Sequence, residues 1–325
     1  MFLNKTSDAY FQTVSRQLNL GRTFYWLYYR PRGFLKKTLQ RGIISSAIDN
    51  RAQRVMEATA YQLTPLKLQP PYYDIHFLSG DRFWYQTTFC AYSMAQYSNV
   101  SVRPIVYDDG SFSVARQAEF RRIFPNAQIY SKAELDQRVE AYLPSHKFPY
   151  LRERRENYPN IRKLIDVHVG SEGWKLVLDS DMLFFKAPEA LLEWLKLPQQ
   201  PCHMVDTETS YGYSKSLMES LTGVSVSDRL NVGICGLNSS DIDWQMLEHW
   251  CKTLIEREGT HYYQEQALVA MLMAGQECQV VSETDYIVMP DKNEAVSPKA
   301  VLHHYVADSK PWYFRYGYKH LINAT

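Results

Sequence analysis

The stretch WKLVLDSDMLFF, residues 174–185, decides the fold class. Its first half is a short apolar run typical of a buried strand, and Asp179 and Asp181 follow where that strand ends. Two carboxylates at this spacing can turn toward one point, and such oxygen ligands suit manganese or magnesium. Acids two residues apart also occur in solvated turns, but apolar residues on both sides fix this pair to a rigid element. The stretch therefore predicts a metal site at a strand end.

Strands and helices alternate along the rest of the chain. The patterns predict strands over 74–78, 102–107, 127–130, 175–178 and 301–305, and helices over 83–97, 114–123, 132–142, 157–169 and 189–196. This alternation is typical of an α/β domain with a mostly parallel sheet and flanking helices, in which ligands bind beyond the carboxyl ends of strands. Two acidic loops, 108–111 and 179–181, follow such ends.

Composition excludes several classes of protein. The chain has 325 residues, 45% of them apolar, and a net charge of +1, which is ordinary for a globular protein and gives no case for nucleic acid as a partner. The five cysteines are odd in number and widely spaced, so they predict neither a zinc site nor a disulfide framework. With no signal-peptide pattern and no long apolar run, we expect a cytoplasmic protein.

The basic residues are concentrated near the N-terminus. Residues 1–55 hold ten Lys and Arg against two acids, and aromatic side chains lie among the cations of residues 22–42. This predicts a helical extension over residues 1–70, ahead of the main domain over 71–325. The extension packs on that domain, or residues 22–42 make a peripheral contact with the inner face of a membrane.

A second group of polar residues lies near the C-terminus, in VLHHYVADSKPW, residues 301–312. A neutral imidazole of His303 or His304 could complete a metal shell begun by the carboxylates. Either histidine could equally be an ordinary core or surface residue. Lys310 could meet a phosphate group as a point charge. By contrast, the arginines of Arg152–Arg155 predict a solvated helix face.

LVLDSDMLFF together with HYVADSKPW resembles the glycogenin-like glycosyltransferases of family 8. The resemblance implies a GT-A fold with a Rossmann-like mixed sheet, a nucleotide-sugar donor and manganese held by the Asp-x-Asp motif. It implies Asp179, Asp181 and His304 as metal ligands and Lys310 as the diphosphate contact. His304 is preferred to His303 because it stands six residues before Lys310. Ala307 stands where the family has a glycine.

Further positions match in the same order. The resemblance implies donor-binding roles for Asp108, Asp109, Lys163, Ser180, Gly233 and Gln266. Asp108 and Asp109 could equally be ordinary residues of an Asp-Asp-Gly turn. It also places Asn231 near the donor sugar and Glu265 at the start of a helix beside it. Asp206 could bind acceptor hydroxyls or serve as a base, although it could also be an ordinary loop residue.

These features predict transfer of a sugar, from a UDP-sugar in the first place, to a hydroxyl group on a glycan or a lipid-linked acceptor. The resemblance implies a retaining outcome, while inversion would require a carboxylate such as Asp206 or Glu265 as general base. A sugar nucleotidyltransferase shares the strand–helix layout, but the Gly-rich basic loop that it would carry is represented only by Ser79–Arg82. A non-catalytic carbohydrate-binding protein on the same fold is the other alternative.

Overall fold

The computed structural model describes residues 43–322. The chain divides into two compact units, Met1–Ala52 and Gln53–Thr325. The segment 22–42 and most of the expected N-terminal extension lie outside the described residues. Among the helices described, none has the length and apolar character needed to cross a membrane.

The helices are numbered here in chain order. They are α1 (Ile43–Ala60), α2 (Trp84–Tyr97), α3 (Val114–Ile123), α4 (Lys132–Tyr142), α5 (Pro149–Asn157), α6 (Arg162–His168), α7 (Glu189–Lys196), α8 (Lys215–Thr222), α9 (Trp244–Glu258), α10 (Gln264–Met273), α11 (Lys292–Val296), α12 (Lys310–Trp312) and α13 (Lys319–Ile322). A π-helical turn, Tyr313–Gly317, separates the last two.

The strands form one large and one small sheet. They are β1 (Tyr72–Ser79), β2 (Ser101–Asp108), β3 (Gln128–Tyr130), β4 (Trp174–Leu178), β5 (Met182–Phe184), β6 (Cys202–Val205), β7 (Leu230–Asn238), β8 (Gln279–Val280), β9 (Tyr286–Val288) and β10 (Leu302–His304). The large sheet has the order β3-β2-β1-β4-β7-β6-β8, and the small one has the order β5-β10-β9.

The large sheet is parallel on one side and mixed on the other. Strands β3, β2, β1 and β4 run parallel, as the strand–helix alternation predicts. Strand β7 runs antiparallel to both β4 and β6. The reversal of β7 makes the sheet mixed, as the resemblance implied, while its other strands share one direction, as expected for a mostly parallel sheet.

The two faces of the large sheet are covered by separate hydrophobic cores. Leu176 and Leu178 of β4 belong to one core, whereas Val177 between them belongs to the other. Successive side chains of a strand point to opposite faces, so a strand buried on both faces is apolar at every position. This explains why the buried part of β4, Leu176–Leu178, is apolar at every position and why the two acids come only after the strand ends.

Helix α5 was anticipated only as the helix face of Arg152–Arg155, without bounds, because its sequence is dominated by charged residues. The predicted helix over 157–169 is instead a 3-10 turn, Pro159–Ile161, followed by the shorter α6. The expectation that the arginines of α5 form a solvated face is wrong for Arg155, which is 1% exposed. Its guanidinium Nε lies 2.5 Å from Oδ1 of Asp166, and this buried carboxylate compensates the charge.

Candidate metal centre and surrounding site

Two strand pairings bring the candidate ligands together. Asp179 and Asp181 occupy the turn between β4 and β5, and β5 pairs antiparallel with β10. In that register His304 stands opposite Met182, the residue after Asp181. The backbone N–H of Tyr305 donates to the carbonyl of Asp181 at 2.9 Å, which fixes the C-terminal strand to the acidic turn.

One ligand atom from each of Asp179, Asp181 and His304 can be chosen so that all lie within 4.8 Å of one another. His304 Nε2 lies 3.2 Å from Asp181 Oδ1 and 3.6 Å from Asp179 Oδ2. Both nitrogens of the buried His304 ring lack a hydrogen-bond partner. Since buried polar atoms are normally satisfied, this convergence of two carboxylates and an imidazole fits a divalent metal ion.

Gly233 of β7 makes room for the His304 ring. A Cβ atom at this position would lie 2.6 Å from both Cε1 and Nδ1 of His304. The carbonyl of Gly233 also accepts a hydrogen bond from the N–H of Asp179 at 2.9 Å. The absence of a side chain at Gly233 therefore allows the imidazole to approach the acidic turn.

Each of the two carboxylates also contacts a lysine. Lys163 Nζ donates to Asp179 Oδ1 at 2.7 Å, and Lys310 Nζ donates to Asp181 Oδ2. The other oxygen of each carboxylate is the one that faces His304. Burial opposes ionisation of Asp181, but the Lys310 ammonium and His304 hold its pKa well below the usual range. Asp181 is thus kept ionised, which a carboxylate needs in order to bind a metal ion.

Lys163 lies between two carboxylates. Its Nζ is 3.4 Å from Glu265 Oε2 as well as in contact with Asp179. Although burial alone would lower its pKa, the carboxylates of Asp179 and Glu265 raise the pKa of Lys163. Burial raises the pKa of Glu265 to about 7, with Lys163 opposing the rise. The charge of Lys163 therefore stabilises Asp179 in the orientation seen here.

The two adjacent histidines of β10 point in opposite directions. His303 Nε2 lies 2.9 Å from Glu294 Oε1, and His303 Nδ1 lies 2.9 Å from the hydroxyl of Tyr305. His303 is thus a satisfied core residue. The alternation of side chains along a strand puts His304 on the face where the acids lie.

A second polar network joins Asp206, Asn231 and Gln266. Asp206 Oδ2 accepts from Asn231 Nδ2 at 2.9 Å and from Gln266 Nε2 at 3.2 Å. Asn231 Oδ1 in turn accepts from the N–H of Gly233 at 2.8 Å. Three residues predicted separately therefore form one buried network, and it reaches the candidate metal ligands through Gly233.

The loop after β2 is largely satisfied by its own atoms. Asp108 Oδ1 accepts from the N–H of Gly110 at 2.7 Å and from that of Phe112 at 3.0 Å. Asp109 Oδ1 accepts from the N–H and the hydroxyl of Ser111. The side chains of Asp108 and Asp109 thus shape this loop, which leaves Gly110 and Ser111 exposed.

Two features of the site were missed or only partly anticipated. Arg162 was not singled out, yet its guanidinium donates to the carbonyl of Asp109. Ser180 lies in the acidic turn, and its carbonyl accepts from the hydroxyl of Tyr313 at 3.4 Å. No local pattern marks Arg162, since an arginine beside a lysine at a helix start is usually solvated.

Comparison with solved structures identifies the fold. The chain is similar to the galactosyltransferase LgtC in complex with donor and acceptor sugar analogues, with a TM-score of 0.52 and 14% identity over 77% of this chain and 95% of that chain. It is also similar to the bifunctional glycosyltransferase WbbM, with a TM-score of 0.51 and 11% identity over 80% of this chain and 50% of that chain. The protein thus has the GT-A glycosyltransferase fold.

Sequence comparison adds no closer assignment. Neither protein-family models nor curated proteins give a match to this chain.

Proposed function

We propose that the protein is a metal-dependent glycosyltransferase that moves a sugar from a nucleotide-diphosphate donor to a hydroxyl group. The observation that carries the proposal is the cluster of Asp179, Asp181 and the unpartnered imidazole of His304, set beside Lys310 on a glycosyltransferase fold. A sugar nucleotide brings a diphosphate, and a cation site flanked by a lysine matches that charge.

The metal would be Mn²⁺ or Mg²⁺, held by Asp179, Asp181 and His304. When bound, it supplies positive charge against the diphosphate that leaves. Lys310 adds a second positive charge, and its side chain is a third exposed and thus accessible to a phosphate oxygen. Stabilising the departing diphosphate is the main electrostatic task in this reaction.

The remaining residues have roles at the sugar end of the donor. In the proposed step the acceptor oxygen bonds to the anomeric carbon on the face from which the diphosphate leaves. The bond from that carbon to the diphosphate breaks with its electron pair, and the proton of the acceptor hydroxyl passes to an oxygen of the departing diphosphate. Asn231, Gln266 and Asp206 form a buried polar network suited to sugar hydroxyls. With this network we place the donor sugar beside Gly233 and expect retention at the anomeric carbon, as in the family that the chain resembles.

The nucleoside end extends toward the loop of Asp108 and Asp109, with a UDP-sugar as the first donor to test. The acceptor is a glycan or a lipid-linked glycan, and residues 22–42 are the candidate contact with a membrane. Lys163, which the resemblance placed at the donor, orients Asp179 through their direct contact.

The test is a melting-temperature screen of UDP-, GDP- and dTDP-sugars with and without Mn²⁺. A ligand that binds the folded state at a hundred times its Kd stabilises it by about 2.7 kcal/mol. We expect a Mn²⁺-dependent rise with one donor class, and we expect Asp181→Asn to abolish it. Asp228→Asn is the matched control, because Asp228 contacts Lys215 on the surface just as Asp181 contacts Lys310.

A retained Mn²⁺-dependent shift in Asp181→Asn would contradict the metal assignment. No shift with any donor, together with no Mn²⁺ binding by calorimetry, would favour the non-catalytic carbohydrate-binding alternative. Release of pyrophosphate from a nucleoside triphosphate and a sugar phosphate would instead identify a nucleotidyltransferase.

A further inference from the structure

Two consecutive residues at the start of α6 contact the loops at two different strand ends. Lys163 contacts Asp179 after β4, as described above. Arg162 Nη1 donates to the backbone carbonyl of Asp109, in the loop after β2, at 2.7 Å. Strand β1 lies between β2 and β4 in the sheet, and α6 packs against it. Together Arg162 and Lys163 therefore span three adjacent strands.

The guanidinium of Arg162 is also hydrogen-bonded to helix α5. Its Nε donates to the backbone carbonyl of Arg155 at 3.0 Å, and the residue is 7% exposed. The guanidinium of Arg155 reaches back to α6, where its Nε lies 2.5 Å and its Nη2 3.2 Å from the carboxylate oxygens of Asp166. Helices α5 and α6 are thus joined in both directions, so the guanidinium of Arg162 has little freedom to move.

Asp109, whose carbonyl accepts from Arg162, is also hydrogen-bonded to strand β1. The N–H of Asp109 donates to the carbonyl of Ser79, the last residue of β1, at 2.9 Å. Beyond Asp109 the loop is held by Asp108 and Asp109 themselves and by Ser111, whose Oγ accepts from the N–H of Asp81 at 3.1 Å. Of the hydrogen bonds described for this loop, that from Arg162 is the one that connects it to the helix carrying Lys163.

We propose that Arg162 is a positioning residue that sets the loop of residues 108–111 at a fixed distance from the acids of the metal cluster. Two strand spacings of about 4.8 Å put the ends of β2 and β4 about 10 Å apart, a span that a nucleoside diphosphate covers. When the diphosphate of the donor lies at a metal ion held by Asp179 and Asp181, the nucleoside end of the donor meets a preformed loop. The inference rests on the proposed function and names the residue that orders this loop.

The first experiment is calorimetric titration of wild type and Arg162→Gln. We expect Arg162→Gln to weaken UDP binding at saturating Mn²⁺ at least tenfold and to leave the Kd for Mn²⁺ alone within twofold. Arg162→Lys keeps the charge, but one ammonium cannot reach both carbonyls as the guanidinium does, so we expect a similar loss of UDP affinity. In a transfer assay, KM for the donor rises and kcat stays within twofold.

Arg103→Gln is the matched control. Arg103 lies on β2 and donates to both oxygens of Asp74 at 2.6 and 2.7 Å, so this variant also removes a guanidinium with two hydrogen bonds. It should keep wild-type affinity for both UDP and Mn²⁺. Each variant must show cooperative melting before its binding data are compared.

Amide hydrogen exchange tests the mechanism without any nucleotide. In Arg162→Gln, we expect the amides of Gly110 and Phe112 to exchange at least tenfold faster, while the amide of Asp179 is unchanged. Unchanged exchange at the loop, unchanged UDP affinity, or full rescue by Arg162→Lys would each overturn the proposal. If wild type binds no UDP, GDP or dTDP, the proposed function fails, and the exchange data alone decide whether Arg162 orders the loop.

Discussion

Substituting alanine for Gly233 should disable the metal centre without removing any ligand. The new methyl group would lie 2.6 Å from two atoms of the His304 ring and 2.9 Å from Asn231 Oδ1. Ordinary carbon contacts are about 3.5 Å or longer, so the ring must retreat by roughly 1 Å. Metal–ligand distances tolerate about 0.2 Å. We therefore expect the Kd for Mn²⁺ to rise by about 10- to 100-fold, as when a residue that orients a ligand is lost.

Gly236→Ala provides the matched control on the same strand. Its methyl group would lie 2.6 Å from Trp194 Cζ2 and 2.9 Å from Cys202 Cβ, away from the candidate ligands. Overpacking of a core typically costs about 1–3 kcal/mol, so both variants should lose stability to a similar extent. At an unfolding entropy of about 2.1 cal/mol/K per residue, each kcal/mol lowers the Tm of this 325-residue chain by about 1.5 °C. Only Gly233→Ala should also lose affinity for Mn²⁺.

The assay is calorimetric titration with Mn²⁺ at a temperature well below both melting transitions, paired with thermal unfolding of the same samples. If Gly233→Ala binds Mn²⁺ as tightly as wild type while its Tm falls, then close packing of the His304 ring against β7 is not required for metal binding. Equal losses of affinity in both glycine variants would also refute the reasoning, because a general loosening of β7 would then explain them.

Three further predictions concern stability. Burial lowers the pKa of His168 to about 3, from about 6.5 in the unfolded chain. As the pH falls, the unfolded state therefore binds this proton first. Below pH 6.5 the free energy of unfolding should decrease by up to about 1.4 kcal/mol for each unit by which the pH falls. Urea unfolding at pH 7 and pH 5 should show a shallower decrease in His168→Asn than in wild type. Arg155→Met leaves Asp166 buried and unpaired and should cost about 3–5 kcal/mol by urea unfolding, while Arg155→Met combined with Asp166→Leu should recover much of the loss. Ala307→Gly should raise the free energy of unfolding by about 0.5–1 kcal/mol, because Ala307 has a left-handed φ of 44°; an unchanged or lower Tm would contradict this.

Local patterns were sufficient for the strands that carry the site. The apolar run of β4 and the acids after it predict a strand end with converging carboxylates, and the structure has Asp179 and Asp181 there. The choice of His304 over His303 came from the family resemblance, in which the histidine stands six residues before the lysine. The structure adds the physical reason, since pairing of β10 with β5 leaves the two histidines on opposite faces.

Long-range pairing of polar groups could not be predicted in the same way. Helix α5 is rich in charge, so no hydrophobic period marks it, and burial of Arg155 depends on Asp166 eleven residues later. The reversal of β7 likewise depends on which strands become neighbours in the sheet. The periodicity of apolar residues indicates which face of a helix or strand is buried, but it does not indicate which charged side chain lies opposite that face.

The conformation of the segment from His304 to Lys310 depends both on local sequence and on long-range contacts. His304 is fixed by β10, and Lys310 six residues later contacts Asp181, the acid beside which β10 docks. The chain must therefore turn back within a few residues, and Ala307 takes a left-handed backbone at the position where the family that the chain resembles has glycine. An L-residue adopts that conformation at a cost of about 1 kcal/mol or more, and such strain persists only when the surrounding structure fixes both ends. The contacts that fix the two ends of this segment, from Tyr305 and from Lys310 to Asp181, therefore hold Ala307 in this conformation.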